Sequence, residues 1–266
     1  MDKTIGFIGS GNMGSAMIGG ILSSGIDPMR IVASALSLEG ATSLANSYGI
    51  QTTTDNLVPS AADILFLAVK PNVYPDVISQ IRSTVSAQSI VVSIAPGLSI
   101  RYLSGLFGKE IKLVRAMPNT PALVGEGMSA LCPNENVTEA ELAEITDIFN
   151  SFGKSEIVSE YLLDTVTGVS GSSPAYIYIL IEAMSDAAVA DGMPRAQAYK
   201  FASQAVLGSA KMVIETGLNP GTLKDMVCSP GGTTIEAVAA LEREGFRNSI
   251  ITAQRACVEK SKNMGR

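Results

Sequence analysis

Three glycines, Gly9, Gly11 and Gly14, lie in "GFIGSGNMGSAMIGGI" (residues 6–21) between a short apolar run and a helix-like pattern. Glycines at this spacing, after a strand and at the opening of a helix, suit a dinucleotide phosphate cradle. Gly9 permits the sharp turn, Gly11 lets a pyrophosphate approach the backbone, and Gly14 lets the helix pack close on the strand. The loop Ile8, Gly9, Ser10, Gly11, Asn12, Met13 and Gly14 is therefore the candidate cofactor site, with free N–H groups aimed at an anion. The chain contains no histidine, which removes the commonest general base and the commonest metal ligand. Its chemistry must run without imidazole, and no metal site is expected.

The second strand indicates which dinucleotide is favoured. An acid at its end would bind the ribose hydroxyls of NAD, but the strand ends Ala33-Ser34-Ala35, with no carboxylate until Glu39. NADP(H) is favoured, with NAD(H) as the alternative, and Ser34 can donate a hydrogen bond to the 2′-phosphate. A second candidate segment, "AVKPN" (68–72), lies beyond the carboxyl end of a strand, where open sheets bind their ligands. Pro71 fixes that loop and Lys70 can reach a cofactor.

These loops need a scaffold. Apolar runs at 4–9, 31–34, 62–69, 89–95 and 111–117 read as strands, and their near-continuous apolar content suits a sheet buried on both faces. Helical spacing between them predicts crossover helices, and Thr138 with Glu141 forms a capping-type Thr-x-x-Glu before a helix over 138–151. After about residue 161 the strands give way to amphipathic helices. The expected fold is an α/β, Rossmann-like, doubly wound parallel sheet over 1–160, followed by an all-α domain over 161–266. That helical domain should bury its apolar surface against another subunit.

Composition sets limits. Of the 266 residues, 46% are hydrophobic and 17% charged, which describes a globular chain. A net charge of −6 without a basic cluster argues against nucleic acid. No apolar stretch approaches a membrane span, and no signal peptide is visible at the start. The three cysteines, Cys132, Cys228 and Cys257, form no CxxC pair and read as reduced thiols of a cytoplasmic protein.

The stretch "LNPGTLKDMVCSPGGTTIEAVAALE" (218–242) has no generic explanation. Together with "FIGSGNMG", "FLAVKP", "AMPNTP" (116–121) and "GVSGSSPAYIYILIEAMSDAAVADG" (168–192), it resembles the pyrroline-5-carboxylate reductase family over the whole chain and in consistent order. The resemblance implies reduction of 1-pyrroline-5-carboxylate to proline with NAD(P)H, by a Rossmann domain joined to a helical dimerisation domain. It also implies homodimers that often assemble into decamers. Ser229, Gly231, Gly232, Thr233 and Thr234 match the family's substrate loop; Asn56 and Ala68, Val69, Lys70 and Pro71 match its cofactor contacts. Ser173 stands where the family usually carries a second glycine.

That chemistry fits a histidine-free chain, because a protonated imine is already an electrophile and needs position and dryness more than a base. The glycines of "SPGGTT" would offer backbone N–H groups to the substrate carboxylate, and the Thr234 hydroxyl would hydrogen-bond the ring nitrogen. The alternative for Thr233 and Thr234 is simple helix capping. Glu182 with Asp186 read as a solvated or interface face rather than an acid–base pair, and Tyr176 with Tyr178 as packing at the helical interface rather than proton donors. A 3-hydroxy-acid dehydrogenase would need a lysine soon after "GVSGSSPAY", and residues 168–199 contain none.

Overall fold

Parallel strands covered on both faces are apolar at nearly every position, and this property fixes the centre of the sheet. The computed structural model describes residues 3–264. Its strands are β1 (Ile5–Ile8), β2 (Ile31–Ser34), β3 (Gln51–Thr53), β4 (Ile64–Leu67), β5 (Ile90–Ser93), β6 (Lys112–Met117), β7 (Gly127–Pro133) and β8 (Gly153–Ile157). They form one sheet in the order β3-β2-β1-β4-β5-β6-β7-β8. All neighbours are parallel except β6 and β7. The five sequence-expected strands are β1, β2, β4, β5 and β6. Three others, β3, β7 and β8, were not expected.

The chain divides into two compact units, Met1–Ser172 with Cys257–Arg266, and Ser173–Ala256. The first unit carries the sheet and the helices α1 (Asn12–Ser23), α2 (Leu38–Tyr48), α3 (Leu57–Ser60), α4 (Tyr74–Ile81), α5 (Ile100–Phe107), α6 (Glu139–Asn150) and α7 (Leu163–Val166). The second is built from α8 (Ser173–Ala190), α9 (Arg195–Thr216), α10 (Pro220–Val227), α11 (Thr233–Arg243) and the start of α12 (Phe246–Met264). The last turns of α12 return to the first unit. Among the described residues, no helix is long and apolar enough to cross a membrane.

The first unit is held by two apolar layers, one on each face of the sheet. On one face Phe7 and Phe66 stack with ring centroids 4.7 Å apart, and Phe149 of α6 tilts against Phe66 at 6.0 Å. Such aromatic pairs add about 0.5–1.5 kcal/mol each beyond the area they bury. The α6 start is closed by the expected capping box: Glu141 N donates to Thr138 Oγ1, and Thr138 N donates to the Glu141 carboxylate.

At the opposite end of the sheet from the loops of interest, Asp63 accepts hydrogen bonds from the Thr4 backbone N–H and hydroxyl, both at 2.8 Å. These bonds hold its carboxyl below the ordinary value of 3.8. A depressed carboxylate contributes stability above its unfolded value and loses that contribution as pH falls through the folded one. Melting temperature measured across the acid range should therefore fall less steeply for Asp63→Asn than for the unaltered chain.

Candidate active site

Register brings the candidate cofactor residues to one edge of the sheet. Ile8 pairs with Ser34 of β2 and with Leu67 of β4, so these three strands end level. The strand order reverses between β1 and β4, the switch point at which open α/β sheets bind nucleotides. The loops after β1 and β4 lie side by side there. Ala68 N donates to Ile8 O at 2.8 Å, and Gly9 N donates to Ser34 O at 3.3 Å.

Each glycine of the first loop has its own role. Gly9 sits at φ +95°, and a Cβ there would lie 2.7 Å from Ala68 O. Gly14 leaves no room either, since a Cβ would stand 2.6 Å from Gly9 O. Gly11 is different: its φ of −68° suits any residue, and nothing lies within 4 Å of a Cβ built on it. That open space adjoins the N-terminus of α1, where Gly11 is the N-cap, no side chain caps the helix and no acid occupies the first turn. The loop from Ile8 to Met13, with Asn12 and Gly11 exposed, therefore fits an anionic pyrophosphate: unclaimed amides, a favourable helix dipole and room for close approach.

Around this edge, Ser34 is buried and its Oγ donates to Asn56 Oδ1 at 2.7 Å, while Asn56 Nδ2 donates to Gln80 Oε1 at 3.0 Å. The structure thus brings Ser34 and Asn56 together and commits the serine proton to the amide. Val69 packs at Gly9, and Lys70 is exposed just before the short 3-10 turn that Pro71 opens.

Several polar groups at the carboxyl edge were not singled out as site residues from the sequence. Tyr74 is buried, donates its hydroxyl to Leu67 O at 2.6 Å and accepts from Ser93 Oγ at 3.2 Å. Burial pushes its phenol far above the ordinary range, so it stays a neutral donor pinning the end of β4. Arg115, buried at the next strand end, pairs with Glu160 at 2.7 Å, and the same carboxylate oxygen accepts from Ile100 N at the start of α5. Asn119 in "AMPNTP" accepts from Met128 N at 2.8 Å and donates to Ser170 O at 3.0 Å.

In the second unit, residues 229–232 form a tight turn between α10 and α11. Gly232 N donates to Ser229 O at 3.0 Å, and Gly231 takes φ +66°, a conformation natural to glycine. Gly232 itself is the N-cap of α11, without a side-chain cap bond. Thr233 and Thr234 are the first two residues of the helix, so neither caps it. The Thr234 hydroxyl, half-buried, has no hydrogen-bond partner among the described residues. Asp186 pairs with Arg195, as an exposed surface residue would. Ser173 causes no strain, because no non-glycine residue among those described has positive φ.

Comparison with known proteins agrees with this geometry. A family model described as NADP oxidoreductase, coenzyme F420-dependent, matches residues 4–97, and one described as pyrroline-5-carboxylate reductase dimerisation matches residues 160–264. The pyrroline-5-carboxylate reductase of Escherichia coli (strain K12) is 52% identical, covering 100% of each chain; that of Methanosarcina acetivorans is 42% identical, covering 100% of this chain and 99% of its own. The crystal structure of Plasmodium falciparum pyrroline carboxylate reductase with NADP bound superposes with a TM-score of 0.92 at 34% identity, covering 100% of this chain and 99% of that one. A Rossmann-like sheet with the switch-point glycine loop, a helical second unit carrying the "SPGGTT" turn, and full-length identity of this degree place the chain in the pyrroline-5-carboxylate reductase family.

Proposed function

We propose that this chain reduces 1-pyrroline-5-carboxylate to L-proline, the last step of proline biosynthesis, with hydride from NADPH. The observation that carries this reading is full-length identity of 52% to a named reductase, together with an intact "SPGGTT" turn. The nicotinamide cofactor, when bound, supplies the hydride. Ile8, Gly9, Ser10, Gly11, Asn12, Met13 and Gly14 hold its pyrophosphate through main-chain amides, with Ala68, Val69, Lys70 and Pro71 beside them. Ser34 and Asn56 flank the adenosine ribose. The absence of an acid at the end of β2 favours the 2′-phosphate, and hence NADPH over NADH.

Ser229, Gly231, Gly232 and Thr233 present the start of α11 to the substrate carboxylate, whose charge the helix dipole favours. The Thr234 hydroxyl, without a hydrogen-bond partner among the described residues, hydrogen-bonds the ring nitrogen. The substrate enters as a protonated imine. As hydride reaches carbon, the π pair of C=N moves to nitrogen, which keeps its proton, so no protein base is needed. A chain without histidine can perform such a reaction.

The second unit buries almost nothing large by itself: Tyr178, Ile179, Phe201, Ile214 and Met226 are all at least 60% exposed. Apolar area of that kind supports a homodimer through this unit, with decamers built from such dimers. A cytoplasmic location completes the reading.

Purified chain mixed with pyrroline-5-carboxylate and NADPH should lose the nicotinamide absorbance near ~340 nm in proportion to the imine added. The same assay with NADH should run less efficiently. NADPH bound but never consumed would replace this reading with a nucleotide-binding role.

A further inference from the structure

The segment linking α7 to α8, Thr167–Gly171, is a single π-helical turn, closed by Ser172 N donating to Thr167 O at 2.8 Å. Isolated π-turns are rare and need outside support, because the wider winding breaks the regular ladder. Sequence makes this one needier still. The carbonyl of Ser170 would ordinarily accept from residue 174, but Pro174 has no N–H.

Two other parts of the first unit supply the missing donors. Asn119 Nδ2 donates to Ser170 O at 3.0 Å, while its Oδ1 is fixed by Met128 N at 2.8 Å. From α12, the Cys257 thiol meets Ser172 Oγ at 3.2 Å and Thr167 O at 3.8 Å. One helical turn later, Ser261 Oγ donates to Asp164 at 2.6 Å. The turn also rests on the end of the sheet, since a Cβ on Gly171 would lie 3.5 Å from Met117 Sδ, the last residue of β6.

We infer that Asn119 is a positioning residue for hydride transfer, acting by holding the π-turn against the carboxyl end of β6. The loop after β6 lies at the edge where a doubly wound sheet binds its ligand. A carboxamide clamped at both ends fixes the distance between that loop and the turn, and hydride transfer is sensitive to displacements of about 1 Å. Cys257 of α12 supports the same turn at Thr167 and Ser172. The inference rests on the reductase reading.

Asn119→Asp tests it. The side chain keeps its size and its acceptor for Met128 N, but turns a carboxylate oxygen toward Ser170 O in place of a donor. At saturating NADPH, kcat should fall about fivefold to tenfold, with KM for NADPH within about twofold of the unaltered enzyme. The isotope effect with NADPH deuterated at the transferred position should grow, because misalignment slows the chemical step itself. Cys257→Ala should move the isotope effect in the same direction, and Cys257→Ser, which keeps a donor, should restore it.

An Asn119→Asp enzyme with unchanged kcat and isotope effect, or one altered only in melting temperature, overturns the inference. If that variant does not fold, the cysteine pair decides, and a Cys257→Ala isotope effect equal to the unaltered enzyme's overturns it. Failure of the unaltered chain to oxidise NADPH would instead overturn the reductase reading, and this inference with it.

Discussion

Gly11→Ala is expected to weaken NADPH binding by roughly 10- to 100-fold while leaving melting temperature nearly unchanged. The backbone there, φ −68° and ψ −172°, is open to alanine, and apart from its chain neighbours no atom of the described residues lies within 4 Å of the new methyl. Alanine is a poorer N-cap than glycine by about 1 kcal/mol, and the lower entropy of the unfolded alanine chain, worth about 0.4–1 kcal/mol, offsets most of that loss. The methyl instead enters the space above uncapped amides. Losing one charge-assisted hydrogen bond of about 1.5–3 kcal/mol there corresponds to the stated factor, at about 1.4 kcal/mol per tenfold.

Gly14→Ala provides the contrast. Its methyl would stand 2.6 Å from Gly9 O, so α1 must move away from the strand. Stability, by about 1–3 kcal/mol, and affinity should fall together. Fluorescence titration with NADPH, paired with thermal melts, separates the two cases. A Gly11→Ala chain that bound NADPH as tightly as the unaltered one would mean that the open space is not a phosphate cradle.

Thr234→Ala should cost about 1–3 kcal/mol of transition-state stabilisation, a loss of roughly 10- to 100-fold in kcat/KM for the imine. The fold has little stake in this hydroxyl: Gly232 is the cap of α11, and Thr234 has no hydrogen-bond partner among the described residues. Thr234→Ser keeps the hydroxyl and should recover most of the rate. Steady-state kinetics of both variants, with NADPH affinity as a control that should not change, test the role. A folded Thr234→Ala enzyme within twofold of the original would end it.

The centre of the sheet was legible because β1, β2, β4 and β5 are buried along nearly their whole length, and such strands consist of little besides apolar residues. The edges were not. Gln51–Thr53 is three polar residues, and Gly153–Ile157 reads Gly-Lys-Ser-Glu-Ile, largely exposed. Both become strands through backbone pairing with a formed sheet, which leaves no apolar pattern to read. Gly127–Pro133 is buried but runs antiparallel to its neighbour, a direction that composition does not encode.

The glycine loop's geometry was legible for a related reason. Glycine marks backbone constraints directly, and the structure finds a distinct constraint at Gly9 and Gly14 and open space at Gly11. Side-chain roles set by tertiary partners were hidden. Ser34 reads as a donor to a phosphate, yet its proton goes to Asn56. Arg115 and Asn119 take their importance from Glu160 and Ser170, dozens of positions away, and Tyr74 from strand ends its own helix does not contain, so no local spacing announces their roles.

The return of α12 to the first unit has a consequence for biosynthesis. Residues 257–264 leave the ribosome only after the whole of Ser173–Ala256, so the first unit's own contacts with α12 wait for the second unit to be made. Until they arrive, the π-turn lacks its Cys257 partner and Asp164 of α7 lacks its Ser261 partner. The bracing of the π-turn and of α7 by α12 should therefore be complete only once translation has passed those helical turns.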